Sequence, residues 1–317
     1  MKGEPPLHLN DPQTFAEKCQ WRKFYCPEIR QFAQLADKFE AQRFASKLID
    51  SAHILPVLWV GDTLTEETIR QLGDRIVYQP THRSGATFMI DSVDKVDIKK
   101  ICSAVNLMLK WPYSMVGQEP WYGHINPRVI ARPMITNSSG APYLNDCKFH
   151  VFRQKNNTPR VICEIINTEP HWRAVFNERF ERYSFDVNPG TYPPPAADPA
   201  RPRCFENALN DALELSESFD YARIDFMLGN DDYYFTEFTF APNGGYTPFK
   251  PSEAGLEVGS WWDLETGTSI KRFYWHAAAW IPLWKTEMPL RLFRRLKKRT
   301  SEWSMNVPDG AERYFVR

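Results

Sequence analysis

The chain has 317 residues, of which 43% are hydrophobic and 25% charged, the composition of a globular protein with a large buried core. Its 39 basic and 39 acidic side chains cancel, so no global field would attract nucleic acid or an anionic membrane, and any anion site must be local. The sequence has no signal-like apolar core, no run of about 18 apolar residues and no cysteine spacing typical of zinc. We therefore expect a cytoplasmic protein with reduced thiols.

The first quarter of the sequence is predicted to be helical. Between residues 15 and 48, apolar residues recur at the three-to-four spacing of amphipathic helices. An apolar run at 54–60 then predicts a strand, and residues 65–72 predict a short helix that begins at Thr65.

A strand–loop–strand unit follows this region. Residues 75–79 and 88–90 predict two strands, and the polar turn between them, at 80–85, contains Gly85. Such a loop is typical of a phosphate clamp, because a residue without a side chain lets backbone N–H groups approach an anion closely.

Two more strands are predicted at 129–135 and 147–152, with a turn at 137–140 between them. After a proline-rich crossing, residues 205–219 carry an apolar stripe at helical spacing and predict an amphipathic helix.

Residues 221–240 predict a β-hairpin. Ile224, Phe226 and Leu228 share one parity, and a turn-forming stretch at 229–232 separates them from a matching apolar set. The matching set is Tyr234, Phe238 and Phe240. We expect both sets to face the core and the intervening polar residues to face the other way.

The polar face of this hairpin carries the candidate chemistry. If the loop comprises residues 230–232, Asp225 lies opposite Glu237 and Arg223 lies opposite Thr239. Two opposed carboxylates repel, whereas Mg²⁺ would bridge them and leave positions for substrate phosphate. The alternative is a sheet face on which Arg223 pairs with the acids, and the hairpin alone leaves both interpretations open.

Several segments, in order and at family-like spacing, resemble the TupA-like branch of the ATP-grasp superfamily, which is associated with teichuronopeptide and surface-polysaccharide biosynthesis. The resemblance extends roughly from residue 10 to residue 264. It is carried by NDPQTFAEK at 10–18, ADKF at 36–39, HRSG at 82–85, DCKF at 146–149 and the stretch 221–248.

The resemblance implies an α+β fold of the ATP-grasp type, in which two α+β lobes with antiparallel sheets clasp a nucleotide cleft. On this basis we expect a helical N-terminal region, a small lobe with the phosphate loop, a large lobe with the metal-binding hairpin, and a C-terminal tail. The expected ranges are 1–74, 75–135, 136–265 and 266–317.

The resemblance also assigns roles to individual residues. By position, Lys38 and Lys148 resemble the lysines that contact ATP phosphates, and the mobile loop over the phosphates corresponds to His82, Arg83, Ser84 and Gly85. The metal strand includes Thr239 after its second acid, as in the TupA-like branch, and the expected Mg²⁺ ligands are Asp225, Glu237 and Thr239. Arg223 resembles the residue that stabilises the acyl-phosphate and the tetrahedral intermediate.

Two positions of the expected nucleotide pocket depart from the family pattern. Gln79 stands where members usually have a lysine on the strand that leads into the phosphate loop, so one positive charge is missing. Arg132 stands where the hinge that reads adenine usually begins with a glutamate.

The resulting hypothesis is an ATP- and Mg²⁺-dependent carboxylate–amine ligase. It would join an amino acid or amino sugar to a carboxylate on a bacterial cell-surface polysaccharide or its precursor. Gln79 and Arg132 keep two alternatives open, a non-catalytic relative that binds glycan or a partner protein, and a transferase that uses a different nucleotide in the same cleft.

The C-terminal segment suggests a surface of another kind. In residues 286–299 a small apolar set is surrounded by basic side chains, a pattern typical of interfacial helices. The two interpretations are peripheral contact with the inner membrane face and a terminal helix packed on the body with a solvated basic face.

Overall fold

A computed structural model describes residues 7–25, 28–136, 145–154, 158–168 and 171–264 of the chain. The helices are α1 (Phe15–Tyr25), α2 (Ile29–Ala36), α3 (Lys38–Ala45), α4 (Glu66–Leu72), α5 (Ile98–Leu109), α6 (Tyr113–Gly117), α7 (Phe205–Leu215) and α8 (Ala254–Ser260). The strands are β1 (Trp59–Gly61), β2 (Ile76–Pro80), β3 (Phe88–Ile90), β4 (Val129–Pro133), β5 (Asn145–Phe152), β6 (Arg160–Thr168), β7 (His171–Phe176), β8 (Asp186–Val187), β9 (Tyr221–Leu228), β10 (Tyr233–Thr239) and β11 (Phe249–Lys250).

The larger sheet has five strands in the order β10-β9-β5-β6-β7, all antiparallel to their neighbours. Because strand side chains alternate, one face of this sheet is apolar and the other carries charged groups. A row of buried residues crosses the apolar face: Phe238, Ile224, Phe149, Cys163 and Phe176. Helix α7 covers this face, with the Phe205 ring 5.8 Å from the Phe149 ring.

Two cations, the buried Arg22 and the partly buried Lys18, fix helix α1 against the larger lobe. Arg22, which is 3% exposed, donates to the Tyr221 carbonyl at 2.8 Å. Lys18 donates to the carbonyls of Gly259 and Trp262 at 2.8 and 2.6 Å. The first helix therefore packs on the large sheet and on α8, although it is distant from both in sequence.

The smaller sheet has four strands in the order β1-β4-β2-β3, also antiparallel. Helices α4 and α5 cover one of its faces and form a second hydrophobic core with it. Buried members of this core are Leu64, Ile69, Ile76, Tyr78, Phe88, Ile90, Val105, Val129 and Ala131. The described ranges thus contain two hydrophobic cores, one against each of these two larger sheets, and each of the two sheets keeps one face away from its core.

The boundary predicted between residues 74 and 75 cuts through the smaller core. Strand β1 pairs with β4, and Leu64 and Ile69 pack in that core. The helices α1–α3 contribute instead to the core of the larger sheet, for example through the stacked rings of Phe32 and Phe240.

The hairpin pairs as predicted at the polar residues but not at its turn. Asp225 lies opposite Glu237 and Arg223 opposite Thr239, which confirms that part of the register. The predicted three-residue loop is wrong, because β9 ends at Leu228 and β10 begins at Tyr233. An irregularity between Phe235 and Glu237 shifts the register by one residue and restores the predicted pairs.

The same irregularity reverses which tyrosine faces the core. Tyr234 was predicted to be buried with Phe238 and Phe240, but it is only partly buried. Tyr233 and Phe235 are 2% and 0% exposed and take that place. A bulge adds one residue to one strand, so the side-chain alternation changes face at that point.

The strand predicted at 54–60 is mostly wrong. Only Trp59–Gly61 forms β1, while Ile54 makes a single bridge to Phe235. Pro56 lies between them and has no N–H to donate to a ladder, which accounts for the interruption. The helix predicted from Thr65 is confirmed, and the Thr65 hydroxyl accepts from the Thr68 N–H at 3.1 Å.

Two sequence predictions lie outside the described residues, the turn at 137–140 and the basic segment at 286–299. Within the described ranges, no helix combines the length and the apolar character that crossing a bilayer requires.

Gly259 is predicted to be essential for the packing of α8 on the N-terminal segment. A Cβ at Gly259 would lie 2.8 Å from the Phe15 backbone nitrogen and closer still to the Gln13 carbonyl. Because backbone atoms cannot move aside cheaply, we expect Gly259→Ala to lower the free energy of unfolding by roughly 1–3 kcal/mol. Urea unfolding measures the change.

The matched control is Gly255→Ala in the same helix. A Cβ there would lie 3.6 Å from the Phe249 ring, an ordinary contact. Alanine favours a helix over glycine by up to about 1 kcal/mol, so this variant should keep or gain stability. Equal stability of the two variants would contradict the packing argument.

Candidate active site

The charged face of the larger sheet brings together side chains from four neighbouring strands. Glu237, Asp225, Lys148 and Glu164 lie side by side across β10, β9, β5 and β6. The next row includes Thr239, Arg223 and His150. Positions of the same parity on paired strands share a face, so the pleat itself assembles this set.

Arg223 is held by a two-pronged ion pair. Its Nε and its terminal Nη2 donate to the two oxygens of Asp225 at 2.7 and 2.6 Å. The same Nη2 donates to the Thr239 hydroxyl at 2.9 Å. The Arg223 side chain is 12% exposed and the Asp225 side chain 8%. Burial alone would lower the pKa of the Arg223 guanidinium. The adjacent Asp225 carboxylate has the larger, opposite effect, so the pKa is raised.

Lys38 provides the second close ion pair. Its Nζ lies 2.5 Å from Glu237 Oε2 and is buried at the first turn of α3. The backbone N–H of Lys38 donates to the Thr81 carbonyl at 3.1 Å, which ties α3 to the segment before the predicted phosphate loop. Burial alone would raise the pKa of Glu237, but Lys38, Arg223 and Lys148 lower it to about 2.

Lys148 completes the cationic set and lies between two acids. Its Nζ is 3.9 Å from Asp225 Oδ2 and 3.8 Å from Asp146 Oδ2. Its side chain is 19% exposed, compared with 8% for Lys38. Lys148 is therefore bound loosely enough to reorient toward an incoming anion.

The acid pair fits a divalent cation of the Mg²⁺ type. Asp225 and Glu237 present hard oxygen donors from directly opposed strand positions, and each already pairs with a neighbouring cation. Mg²⁺ is commonly held by one or two carboxylates together with substrate phosphates. No cluster of three or more His, Cys, Asp or Glu suited to a metal occurs within the described ranges, so substrate oxygens would have to complete the coordination.

In the smaller sheet, the two residues that differ from the family pattern point toward the same cleft. On β2 and β4 the core-facing residues are Tyr78 and Ala131, so Gln79 and Arg132 point to the opposite face. Gln79 donates to the Thr87 hydroxyl at 2.8 Å. Arg132 is 4% exposed, and its Nε has no hydrogen-bond partner within the part of the chain that is described.

Burial lowers the pKa of Arg132 to about 10, and the acid that most opposes this change is Glu237. Arg132 of the small lobe thus lies within electrostatic range of the hairpin. A buried guanidinium with an unused donor is costly unless an anion or a carbonyl meets it.

The predicted phosphate loop is only partly exposed. His82 is 3% exposed, and burial together with Arg83 lowers its pKa. The Arg83 guanidinium lies 5.3 Å from the centre of the Tyr113 ring. Ser84 and Gly85 are exposed, and the φ of Gly85 is +68°, a conformation that favours glycine. The loop therefore presents its small residues to solvent and anchors its basic ones.

A buried polar network extends the site beyond the predicted residues. Glu164 is 1% exposed, and Arg173 Nε lies 3.1 Å from its Oε2. His150 Nε2 lies 3.9 Å from Glu164 Oε1, while His150 Nδ1 is 3.0 Å from the Tyr221 hydroxyl. Burial by itself would raise the pKa of Glu164, but His150 and Arg173 lower it to about 2.

Sequence reasoning missed Glu164 and Arg173 because β6 and β7 were not assigned. Glu164 could have been predicted, because it is a lone acid within the apolar run 161–166. Such a residue in a buried strand requires a cation beside it.

Glu119 and Lys23 were missed as well. Glu119 is 6% exposed at the start of a 3₁₀ turn at Pro120–His124, and burial raises its pKa to about 8. The charged groups that act on it are Lys23, Arg223 and Glu237, which places it beside the hairpin. No periodic pattern surrounds Glu119, so its burial was not predictable from the sequence.

Glu164→Gln is expected to lower stability in a pH-dependent way. At neutral pH the variant leaves Arg173 buried without its counter-charge, at a cost of about 3–5 kcal/mol. The pKa of Glu164 is lowered in the folded state, so its ionised carboxylate stabilises the fold. This stabilisation is complete above pH 4.5, the ordinary pKa of a glutamate, and is lost as the pH falls toward about 2. The difference between wild type and variant should therefore shrink over that range.

Urea unfolding at a series of pH values measures this difference. The control is the exposed Glu67→Gln on α4, which should follow the wild-type profile. A constant difference between wild type and Glu164→Gln from pH 7 to pH 3 would contradict the assignment.

Solved structures with a related course of the chain include D-alanine-D-alanine ligases and a ribonucleotide synthetase. D-Alanine-D-alanine ligase from Helicobacter pylori matches with 12% identity and a TM-score of 0.43, over 71% of this chain and 61% of that one. The Bacillus anthracis ligase complexed with ATP matches with 12% identity and a TM-score of 0.38, over 66% and 55%. N5-carboxyaminoimidazole ribonucleotide synthetase from Thermus thermophilus matches with 13% identity and a TM-score of 0.34, over 68% and 48%.

These similarities are remote, and the chain spans about half to three-fifths of the length of those structures. No curated protein matches the sequence. The sequence model of the TupA-like ATP-grasp family, in contrast, matches residues 17–262, which include both sheets and every predicted site residue. The antiparallel α+β architecture agrees with that assignment, and the chain belongs to the TupA-like ATP-grasp family.

Proposed function

We propose that this protein is an ATP- and Mg²⁺-dependent carboxylate–amine ligase. It would form an amide between an amino acid or amino sugar and a carboxylate of a bacterial cell-surface polysaccharide or its precursor. The observation that carries the proposal is the Arg223–Asp225 pair beside Glu237, Lys38 and Lys148 on one sheet face. Family membership supports the general chemistry, and the TupA-like branch supports the class of acceptor.

The reaction has two steps. An oxygen of the substrate carboxylate attacks the γ-phosphorus of ATP, the bond to ADP breaks, and an acyl-phosphate forms. The amine nitrogen then attacks the carbonyl carbon, the new C–N bond forms, and phosphate leaves with the electron pair of the broken C–O bond. The amine releases its protons to phosphate and solvent.

Different residues of the site act on the phosphoryl group and on the tetrahedral intermediate. Lys148 and Lys38 provide positive charge for the transferring phosphoryl group, whose negative charge is spread over its oxygens. Arg223 would stabilise the oxyanion of the tetrahedral intermediate, because its guanidinium is permanently charged and is fixed by Asp225 and Thr239.

Asp225 and Glu237 would hold Mg²⁺, with the Thr239 hydroxyl as a further oxygen beside them. When bound, the ion would neutralise charge on the phosphate oxygens and orient them. Because both acids already pair with cations, nucleotide and metal would bind together and release Lys38 from Glu237 toward phosphate.

Substitutions in the hairpin are expected to remove turnover even after activity is normalised to the folded fraction, which should fall because each acid-to-amide change leaves a buried cation without its partner. Asp225→Asn and Glu237→Gln should each lower Mg²⁺-dependent ADP formation by roughly 100-fold or more. Arg223→Lys keeps the charge but loses the two-pronged geometry, so the turnover of this variant should also fall sharply. ADP release, assayed over uronic acids and amines, measures the effect.

The matched control is Asp231→Asn, which lies in the turn of the same hairpin and pairs with Arg203 at the surface. It should retain wild-type turnover. Turnover that is unchanged in Asp225→Asn and Glu237→Gln would sink the proposed site.

The second candidate is a non-catalytic relative that binds glycan or a partner protein. Gln79, already bonded to Thr87, and the buried Arg132 favour it, because neither supplies the usual ATP contact. Calorimetry with ATP and Mg²⁺ separates the two, since a scaffold should show no metal-dependent nucleotide binding. A thermal-shift screen with ATP, GTP and UDP-sugars tests the remaining alternative, a transferase for another nucleotide.

Gln79→Lys is expected to tighten binding of ATP·Mg²⁺ by roughly tenfold, because it adds a charge-assisted contact on the strand before the phosphate loop. The control is Gln71→Lys, which adds the same charge on exposed α4. Calorimetry should detect tighter binding of ATP·Mg²⁺ for Gln79→Lys but not for Gln71→Lys. Equal affinities for both variants would show that Gln79 does not face the nucleotide.

A further inference from the structure

A cavity of about 490 Å³ lies between helices α2 and α3 and the segment 124–128 that leads into β4. Two of its lining residues, Ala33 and Ile125, are apolar and buried. The polar side chains that line it include those of Arg30, Gln34, Asp37, Glu40, Asn126 and Arg128. Its volume is that of a site for a small organic ligand.

This cavity is separate from the cleft that contains Lys38. Because successive residues of an α-helix point about 100° apart, Glu40 points about 200° around α3 from Lys38. Lys38 Nζ pairs with Glu237 in the cleft, whereas Glu40 Oε1 lies 3.1 Å from Arg128 Nη2 beside the cavity. No residue assigned above to the nucleotide or to the metal lines this cavity.

The two acids of the cavity already have donors for all their oxygens. Asp37 Oδ1 accepts from the backbone N–H groups of Phe39 and Glu40 at 2.8 and 3.0 Å, and its Oδ2 accepts from Arg128 Nη2 at 3.3 Å. Glu40 Oε1 accepts from the same Nη2, and Glu40 Oε2 accepts from Arg43 Nη1 at 3.2 Å. A cationic ligand would therefore have to displace a partner that is present.

The donors of the cavity, in contrast, are mostly unused. Arg30 is exposed, and its guanidinium has no hydrogen bond or ion pair with any residue of the described ranges. The side-chain amides of Gln34 and Asn126 are also exposed and unbonded in that part of the chain. Arg128 donates through Nη2 only, and its Nε has no partner among the described residues. The cavity thus offers N–H groups to a ligand that brings acceptors.

The Arg128 guanidinium is fixed before any ligand binds. It lies 4.8 Å from the centre of the Phe39 ring, and the Arg128 carbonyl accepts from the Thr81 N–H at 2.8 Å. The side chain is still 22% exposed, so part of it is accessible from the cavity. A side chain that is already ordered loses little conformational entropy when it binds a ligand.

The local charge also favours an anion. Arg30, Arg43 and Arg128 provide three positive charges around the two carboxylates, so one positive charge remains. Arg30 and Gln34 are four residues apart on α2, which places both on one face of that helix. A ligand held by Arg30 would therefore also reach the Gln34 amide.

We propose that this cavity binds a small oxyanion, a phosphate monoester or a carboxylate, through Arg30 and Arg128. Planar guanidinium groups match the oxygens of such anions, and the amides of Gln34 and Asn126 would donate to neighbouring oxygens. The inference goes beyond the proposed ligase function and does not depend on it, since no residue of the cleft takes part.

Calorimetry on the full chain is the first test. The probes are glucose 1-phosphate, inorganic phosphate and glucuronate, with glucose as the neutral comparison. One series contains saturating Mg²⁺ and a non-hydrolysable ATP analogue, because the lysines of the cleft could also attract an anion, and a second series omits them. We expect at least one oxyanion to bind in both series and glucose to bind in neither.

Arg30→Gln locates the bound anion. It removes one charge-assisted contact, so the affinity of the oxyanion should fall by roughly 10- to 100-fold. Since Arg30 is exposed and has no partner among the described residues, the variant should keep the stability of the wild type. A urea unfolding curve checks that it does.

The matched control is Arg160→Gln. Arg160 is also exposed, but it lines a different cavity of about 580 Å³ and lies 5.1 Å from the centre of the Trp261 ring. This variant removes the same charge from the chain, so it corrects for a general effect of net charge. It should bind the oxyanion with wild-type affinity.

The outcomes decide the inference and separate it from the proposed function. The inference is overturned if no oxyanion binds in either series, if glucose binds as tightly as glucose 1-phosphate, or if Arg30→Gln and Arg160→Gln have equal affinities. Tighter binding of glucose 1-phosphate than of glucuronate identifies a phosphate monoester as the ligand, and the reverse identifies a carboxylate. Oxyanion binding that Arg30→Gln weakens, without any ADP formation, supports the cavity and rejects the ligase.

Discussion

The register of one hairpin determines which charged groups share a face of the larger sheet. Asp225 and Glu237 face each other only because the irregularity after Phe235 moves β10 by one residue relative to the turn. Without that shift, Glu237 would lie on the opposite face, among the aromatic rings that pack under α7. The Arg223–Asp225 pair, the contact of Lys38 with Glu237 and the position of Lys148 all depend on this register.

Each charged group of the site is compensated by a neighbouring group of opposite charge. Three cations, Lys38, Lys148 and Arg223, pair with two acids, Asp225 and Glu237, on a largely buried sheet face. Removing any one of them leaves a buried charge uncompensated, which is far more costly than never having the pair. In the proposed function, an anionic polyphosphate would pair with these cations while a divalent cation pairs with the two acids, so each group would exchange one partner for another.

A few buried charged groups have no ion-pair partner at contact distance within the part of the chain that is described. Arg132 has an unused donor at the face of the small sheet, and Glu119 and Lys23 are buried apart from each other. Elsewhere, buried charges such as Arg22 and Glu164 have close partners. Buried charges with a structural role are thus compensated by neighbouring groups, whereas Arg132 keeps an unused donor.

Local pattern by itself determined much of this protein. Alternation predicted the hairpin and its acid pair, helical spacing predicted α1–α4 and α7, and ordered motifs predicted the family. Only the tertiary structure decided that Tyr233 rather than Tyr234 enters the core, because a bulge leaves no mark on a period-two pattern. It alone brought Lys38 to Glu237 and Arg128 to Asp37, since burial and long-range pairing depend on how distant elements pack.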